Sequence, residues 1–192
     1  MGDPAMRAAH VRENLKTLDA FSDELASEVR ARLRPELVEV IENAPRSAWL
    51  PLQHDIELSA KVAEVGGYEM CMQWCRSSLE ATAQTPLLRG FFSAGLRLFG
   101  ANPGHLLRLV QRGYPTIYRD AGSMTCEPLR DDAVRIRGHD LPRMLLDDKL
   151  YLEGIGESIS IVPYLVKYEA SSTLEVDGDQ VSWVISWWKP KG

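Results

Sequence analysis

Few side chains in this sequence have a type and spacing that could do chemistry. His105 stands three residues after Asn102, and Asn102-Pro103 supplies a cap residue followed by proline at a first helical position, so His105 falls in the first turn of a predicted helix. There the positive end of the helix dipole disfavours imidazolium, and a neutral imidazole is what a metal ligand must be. Cys71 and Cys75 are four residues apart on another predicted helix, which puts both thiols on one face, where they could share a metal or form a redox pair. Zinc sites take four ligands, so Cys126 and a histidine would have to complete the set. Met70, Met72 and Trp74 surround the pair, and free cysteine is among the most buried residue types, so core packing is the competing expectation. Glu153 and Glu157, with Asp147 and Asp148 nearby, lie on the helix side away from Leu152, Ile155 and Ile159 and read as a solvated face. No Ser-His-Asp ordering, phosphate-cradling glycine loop or paired-carboxylate motif stands out, and Gly154-Ile-Gly156 sits inside a helical pattern rather than after a strand. The side chains point away from an enzyme.

The elements that must position these residues follow from periodicity. Leu15, Leu18, Phe21 and Leu25, then Val29, Leu33, Leu37 and Val40, predict helix from Val11 to about Asn43, with Pro35 opening a new one. Pro45 and Pro51 bracket a connection that places Trp49 between two helices. Helices are expected from about Leu52 to Val65, ending at Gly66-Gly67, from Tyr68 to about Ala83, and from Leu87 to Phe99; the one carrying His105 runs to about Tyr114. After Gly122 the pattern changes: Ser123 to Leu129 and Ala133 to Arg137 are strand-like runs joined at Arg130-Asp131-Asp132. Leu145 to Val162 returns to helix, and Gly154 and Gly156 within it, each costing about 1 kcal/mol against alanine, imply close packing on another element. Tyr168, Ala170, Ser172, Leu174 and Val176 then alternate up to the Asp177-Gly178 turn, and Val181, Trp183, Ile185 and Trp187 alternate on the return. Trp183 and Trp187 should fill the core between sheet and helix, while Trp188 points the other way and, if exposed, would suit a protein partner. The expected fold is α+β: a helical N-terminal half packed with a small antiparallel sheet of two hairpins joined by a helix. One domain, 1–192, is expected, with the helical part at about 11–118 and the hairpin-helix-hairpin part at about 122–189.

Bulk properties narrow the function classes. With 192 residues, 45% hydrophobic and 26% charged, the chain suits one well-buried globular core. A net charge of −5 with interspersed arginines argues against nucleic acid as a partner. No apolar run approaches the ~18 residues of a membrane span, and the first residues lack the apolar centre of a secretory signal, so a cytoplasmic location is expected. Three cysteines suit reduced thiols.

The helix-rich first half, the helix ending in Gly113-Tyr114-Pro115, the hairpin, the run Tyr151-Leu-Glu-Gly-Ile-Gly-Glu and the last hairpin resemble a superfamily of ligand-binding domains: haem-nitric-oxide-binding, vinyl-reductase-like and Golgi transport-particle domains. More narrowly, Phe21-Ser-Asp-Glu-Leu, Arg34-Pro-Glu-Leu and Ala48-Trp-Leu-Pro-Leu resemble a paralogous family of uncharacterised myxobacterial proteins. The resemblance implies a cleft for a haem, an aromatic effector or an acyl chain, bounded by the helices at 102–118 and 145–162. His105 matches, within a residue or two, the place where the haem domain keeps its proximal histidine. On a helical wheel at about 100° per residue, however, Leu106, Leu107, Val110 and Tyr114 form the apolar face while His105 falls on the boundary beside Arg108 and Arg112. The haem domain's Tyr-x-Ser-x-Arg motif for the propionates is absent from the corresponding stretch at 134–142, and the cysteines that vinyl-reductase-like domains carry near the last hairpin are absent beyond Cys126.

The reading that follows is a non-enzymatic cytoplasmic sensor or adaptor domain binding a small apolar ligand or a protein partner, with a homodimer left open. Its expected ligand-binding residues are His105, Val110, Tyr114, Ile155, Ile159 and Trp183. The cofactor is undetermined and haem is disfavoured. The alternative is a haem or metal protein using His105 or Cys71/Cys75.

Overall fold

In the computed structural model, which describes residues 2–190 apart from the side chain of Phe99, the chain enters through a short strand, β1 (Ala5–Arg7), and runs directly into α1 (Ala8–Thr17). A 3-10 turn leads to α2 (Asp23–Arg32), capped by Ser22, whose hydroxyl accepts the Leu25 N–H, and Pro35 opens α3 (Pro35–Asn43), where its fixed φ and missing N–H cost nothing. Trp49 does not simply bridge two helices. It belongs to β2 (Trp49–Pro51), which pairs with β1, and β1 pairs on its other side with β3 (Tyr118–Arg119). Strands of two or three residues carry no alternation for a sequence reading to detect. The Arg7 guanidinium lies 3.7 Å and that of Arg119 5.1 Å from the Trp49 ring centre, so two cations clamp the indole across this small sheet.

The long α4 (Leu52–Gln84) kinks at Gly67, whose φ of 80° is a region side chains rarely adopt, so the expected stop at Gly66-Gly67 is a break between two helical segments. After α5 (Arg89–Phe99), Asn102 caps α6 (Pro103–Leu107) by accepting the His105 N–H at 3.1 Å. The single helix expected from Asn102 to Tyr114 is two: a break at Arg108-Leu109 separates α6 from α7 (Val110–Ile117), which carries Pro115 within it.

β4 (Ser123–Arg130) and β5 (Ala133–His139) form the first hairpin, β6 (Glu169–Asp177) and β7 (Gln180–Trp188) the second, and together they make one antiparallel sheet in the order β4-β5-β7-β6. The Asp177-Gly178 turn has Gly178 at φ 59°. Between the hairpins, the one helix expected over 145–162 is three: α8 (Arg143–Leu146), α9 (Lys149–Ile159) and α10 (Ile161–Tyr164). The fold is α+β, and one continuous set of buried residues, including Trp74 of α4 and Trp183 of β7, joins the helical half to the sheet.

Helix α9 sits between α4 and the sheet, and its glycines allow this. A Cβ on Gly154 would come 2.8 Å from Cys75 Sγ, and one on Gly156 would overlap Ser172 Oγ and the Trp183 indole. The fully buried Trp183 donates its Nε1–H to the Leu152 carbonyl at 2.7 Å, and Ser158 Oγ donates to the Cys75 carbonyl at 3.0 Å. The expectation of close packing at both glycines is met, and α9 is bonded to both of its neighbours.

Candidate functional site

Where α9 faces α4 and the corner formed by α5, α6 and α7, the side chains leave an apolar cavity of about 80 Å³. Leu79 of α4, Phe91 and Phe92 of α5, and Leu106 of α6 line it, with Val110, Gly113, Tyr114 and Ile117 of α7 and Ile155 and Ile159 of α9 completing most of the wall. The spacing that makes α7 amphipathic therefore turns its apolar stripe onto the cavity. Tyr114 stacks on Tyr118 with ring centres 4.4 Å apart, and its hydroxyl donates to the Ala121 carbonyl at 2.9 Å. Burial pushes both phenols up, so they stay neutral.

Besides the tyrosines, two polar side chains reach this apolar space, Ser158 of α9 and His10 of α1. His10 of α1 lines the cavity, is buried, and has its Nδ1 2.7 Å from the hydroxyl of Thr82 on α4. Burial lowers its pKa to about 4, so the imidazole is neutral at physiological pH. Adjoining the cavity is a second, polar space of about 30 Å³, which shares His10, Tyr118, Ile155 and Ser158 with the first and is otherwise lined by groups such as Asn14, Asp55, Ser78 and Tyr151. Asp55 is buried there, accepting from Asn14 Nδ2 and from the Tyr151 hydroxyl, each at 2.7 Å. Burial raises its carboxyl above the usual range, and these two hydrogen bonds offset only part of that rise.

Of the residues singled out in sequence, Val110, Tyr114, Ile155 and Ile159 meet at the apolar cavity. His105 and Trp183 do not line it. His105 is exposed on α6, and Trp183 lies behind α9, bonded to Leu152. Cys71 and Cys75 are buried as core residues, Cys75 beside the polar space; its hydrogen bond with Cys71 and its burial hold the Cys75 thiol well above the usual range. Among the described residues no three His, Cys, Asp or Glu side chains are grouped to hold a metal. Glu157 is not simply solvated: it pairs with Arg76 at 2.5 Å. Trp188 is 45% exposed and donates its Nε1–H to Glu169 at 2.7 Å. Among the described residues no helix is long and apolar enough to cross a membrane.

Sequence reasoning missed His10 and its polar neighbours. A signal was present in pairs of polar residues four apart among the apolar positions of their helices: His10 with Asn14, Asp55 with Ser59, Ser78 with Thr82. Each pair shares a helix face, and all six side chains are buried.

No protein-family model matches the sequence, and no curated protein matches it significantly. Solved structures do match in fold. A single-site mutant of the K. algicida H-NOX protein, in its unliganded Fe(II) form, superposes with a TM-score of 0.64 at 11% identity, over 96% of this chain and 98% of that one. An oxygen-binding H-NOX domain related to soluble guanylate cyclases gives 0.61 at 15% identity over 96% of both chains, and a single-site variant of Tt H-NOX gives 0.63 at 15% identity over 97% of both. At such identities the likeness is one of fold: this chain has the architecture of haem-nitric-oxide-binding domains, as the resemblance in its sequence implied.

The residues present do not fit a haem. The cavity of about 80 Å³ falls well short of the roughly 300 Å³ at which pockets for drug-sized ligands begin, and the exposed His105 is not on its wall.

Proposed function

We propose that this chain is a non-enzymatic sensor domain that takes a small apolar molecule, without haem, into the cavity between α4, α7 and α9. The observation that carries the reading is the cavity itself: an apolar space at the junction of the helical half and the helix that backs the sheet, where Val110, Tyr114, Ile155 and Ile159 converge. Apolar burial is worth about 25 cal/mol per Å², so even a ligand of a few carbons gains from entering it. The location also suits signalling. Helix α9 has the cavity on one side and the sheet on the other, with no slack at Gly156 against Trp183. A ligand pressing on Ile155 and Ile159 therefore displaces an element locked to β7, whose end bears the exposed Trp188 available to a protein partner.

The test is methyl NMR of the purified chain titrated with pentane. Shifts should concentrate at Leu79, Leu106, Val110, Ile155 and Ile159, and should vanish in Val110→Phe, which fills the space. Titration without any change at these methyls would overturn the reading.

The fold likeness to H-NOX structures favours haem binding as the second reading. Reconstitution with haem separates the two. A Soret band that disappears in His105→Ala would replace the haem-free reading, whereas no His105-dependent band is expected.

A further inference from the structure

The hydrogen bonding of His10 constrains what enters the cavity. Thr82 is fully buried, and its hydroxyl has no acceptor among the described residues other than His10 Nδ1. If Nδ1 carried the proton, the Thr82 hydroxyl would be a buried donor without a partner, which costs about 1–3 kcal/mol. The favoured tautomer therefore has the Thr82 hydroxyl donating to Nδ1 and the proton on Nε2. The described residues form no hydrogen bond to Nε2, although the ring lines both the apolar cavity and the polar space beside it.

The polar space holds two more groups of this kind. Ser78, 2% exposed, and Asn14, 4% exposed, both line it, and Ser78 Oγ and Asn14 Oδ1 are buried without a hydrogen-bond partner. Native proteins pair nearly all such atoms, so these two buried atoms, beside the unbonded His10 Nε2, point to an occupant of this space of about 30 Å³. That volume exceeds the roughly 10–15 Å³ that a buried water needs, so a water-sized group fits. The complement to these groups is a hydroxyl: it accepts from His10 Nε2–H and donates to Asn14 Oδ1, while Ser78 can do either.

Resting on the proposed apolar-ligand reading, we infer that the ligand is a short neutral alcohol, its hydroxyl held among His10, Asn14 and Ser78 and its alkyl chain lying in the apolar cavity. Size follows from volume. A cavity of about 150 Å³ admits benzene, so the 80 Å³ here suits an aliphatic chain of roughly four carbons. Neutrality follows from the surroundings: the imidazole is held uncharged by burial, and burial also raises the Asp55 carboxyl, favouring its neutral form, so neither an anionic nor a cationic head finds a counter-charge.

The experiment compares 1-butanol, pentane and butylammonium on the intact chain, reading dissociation constants from cavity methyl shifts and the His10 ring by ¹⁵N NMR. Butanol should bind about tenfold more tightly than pentane, the worth of one well-made hydrogen bond, and should move the Nε2–H signal. In Ser78→Ala the preference should shrink several-fold while pentane affinity holds. If pentane binds as well as butanol and the His10 ring does not respond, the polar space takes water only and the inference falls, although the apolar-ligand reading stands. Tighter binding of butylammonium would make this a cation site at Asp55, and the inference falls. If no probe shifts any cavity methyl, the apolar-ligand reading falls and takes the inference with it. The comparison on the wild-type chain decides the matter even if a variant fails to fold.

Discussion

His10 Nδ1 and the Thr82 hydroxyl, 2.7 Å apart and 72 residues apart in sequence, tie α1 to the end of α4 inside the core. The ring is buried and its pKa is depressed to about 4 by that burial, against about 6.5 in the unfolded chain. The folded state thus refuses a proton that the unfolded state accepts. Stability is full above about pH 6.5 and is lost as pH falls from there towards 4, by roughly 2 kcal/mol between pH 7 and 5. His54, also lowered chiefly by burial, acts in the same direction. Asp55, raised by burial, acts in the opposite one, since its folded form holds its proton more firmly than the unfolded chain does. Urea unfolding at pH 7 and pH 5 should show the loss, and His10→Phe should flatten it. An equal midpoint at both pH values in the unmodified chain would contradict this account of His10.

Gly156 and Gly90 should respond in opposite ways to alanine. A Cβ at Gly156 would drive into Ser172 and Trp183, so Gly156→Ala should cost about 1–3 kcal/mol or more from overpacking. Around Gly90 in α5 no heavy atom lies within 4 Å of an added Cβ, so Gly90→Ala should raise stability by about 0.5–1 kcal/mol through helix propensity. Thermal melts of the two variants check both signs.

The three thiols should react in a fixed order. Cys126 is half-buried with its pKa raised by burial to about 11, whereas Cys71 and Cys75 are buried in the core. Thiolate fraction and access control alkylation. Intact-mass analysis after iodoacetamide should show one slow adduct on the folded chain and three only in denaturant. Rapid double labelling under native conditions would show that the α4 thiols are accessible.

Much of the architecture was legible because it is written locally. The alternation through Ala170 to Val176 and Val181 to Trp187 marks a hairpin, and Asn102-Pro103 marks a helix start, since each depends only on residues a few positions apart. The same local rule explains the errors. Apolar spacing continues across Arg108-Leu109 and across Asp147-Asp148, so single helices were expected where the backbone breaks, and the strands pairing Met6 with Leu50 and Tyr118 are too short to leave a pattern.

By itself the sequence determined the α+β class, the two hairpins, the apolar stripes on α7 and α9 that supply Val110, Tyr114, Ile155 and Ile159, and the tight seat of α9 at Gly154 and Gly156. Only the tertiary structure decided that those stripes leave a small cavity, that the exposed His105 is not on its wall, and that His10, Asn14, Asp55, Ser78 and Thr82, from two helices, share one buried polar corner. The reason is physical: periodicity says which face of a helix is buried, but the volume left over and the partners of a buried polar atom depend on how separate elements meet.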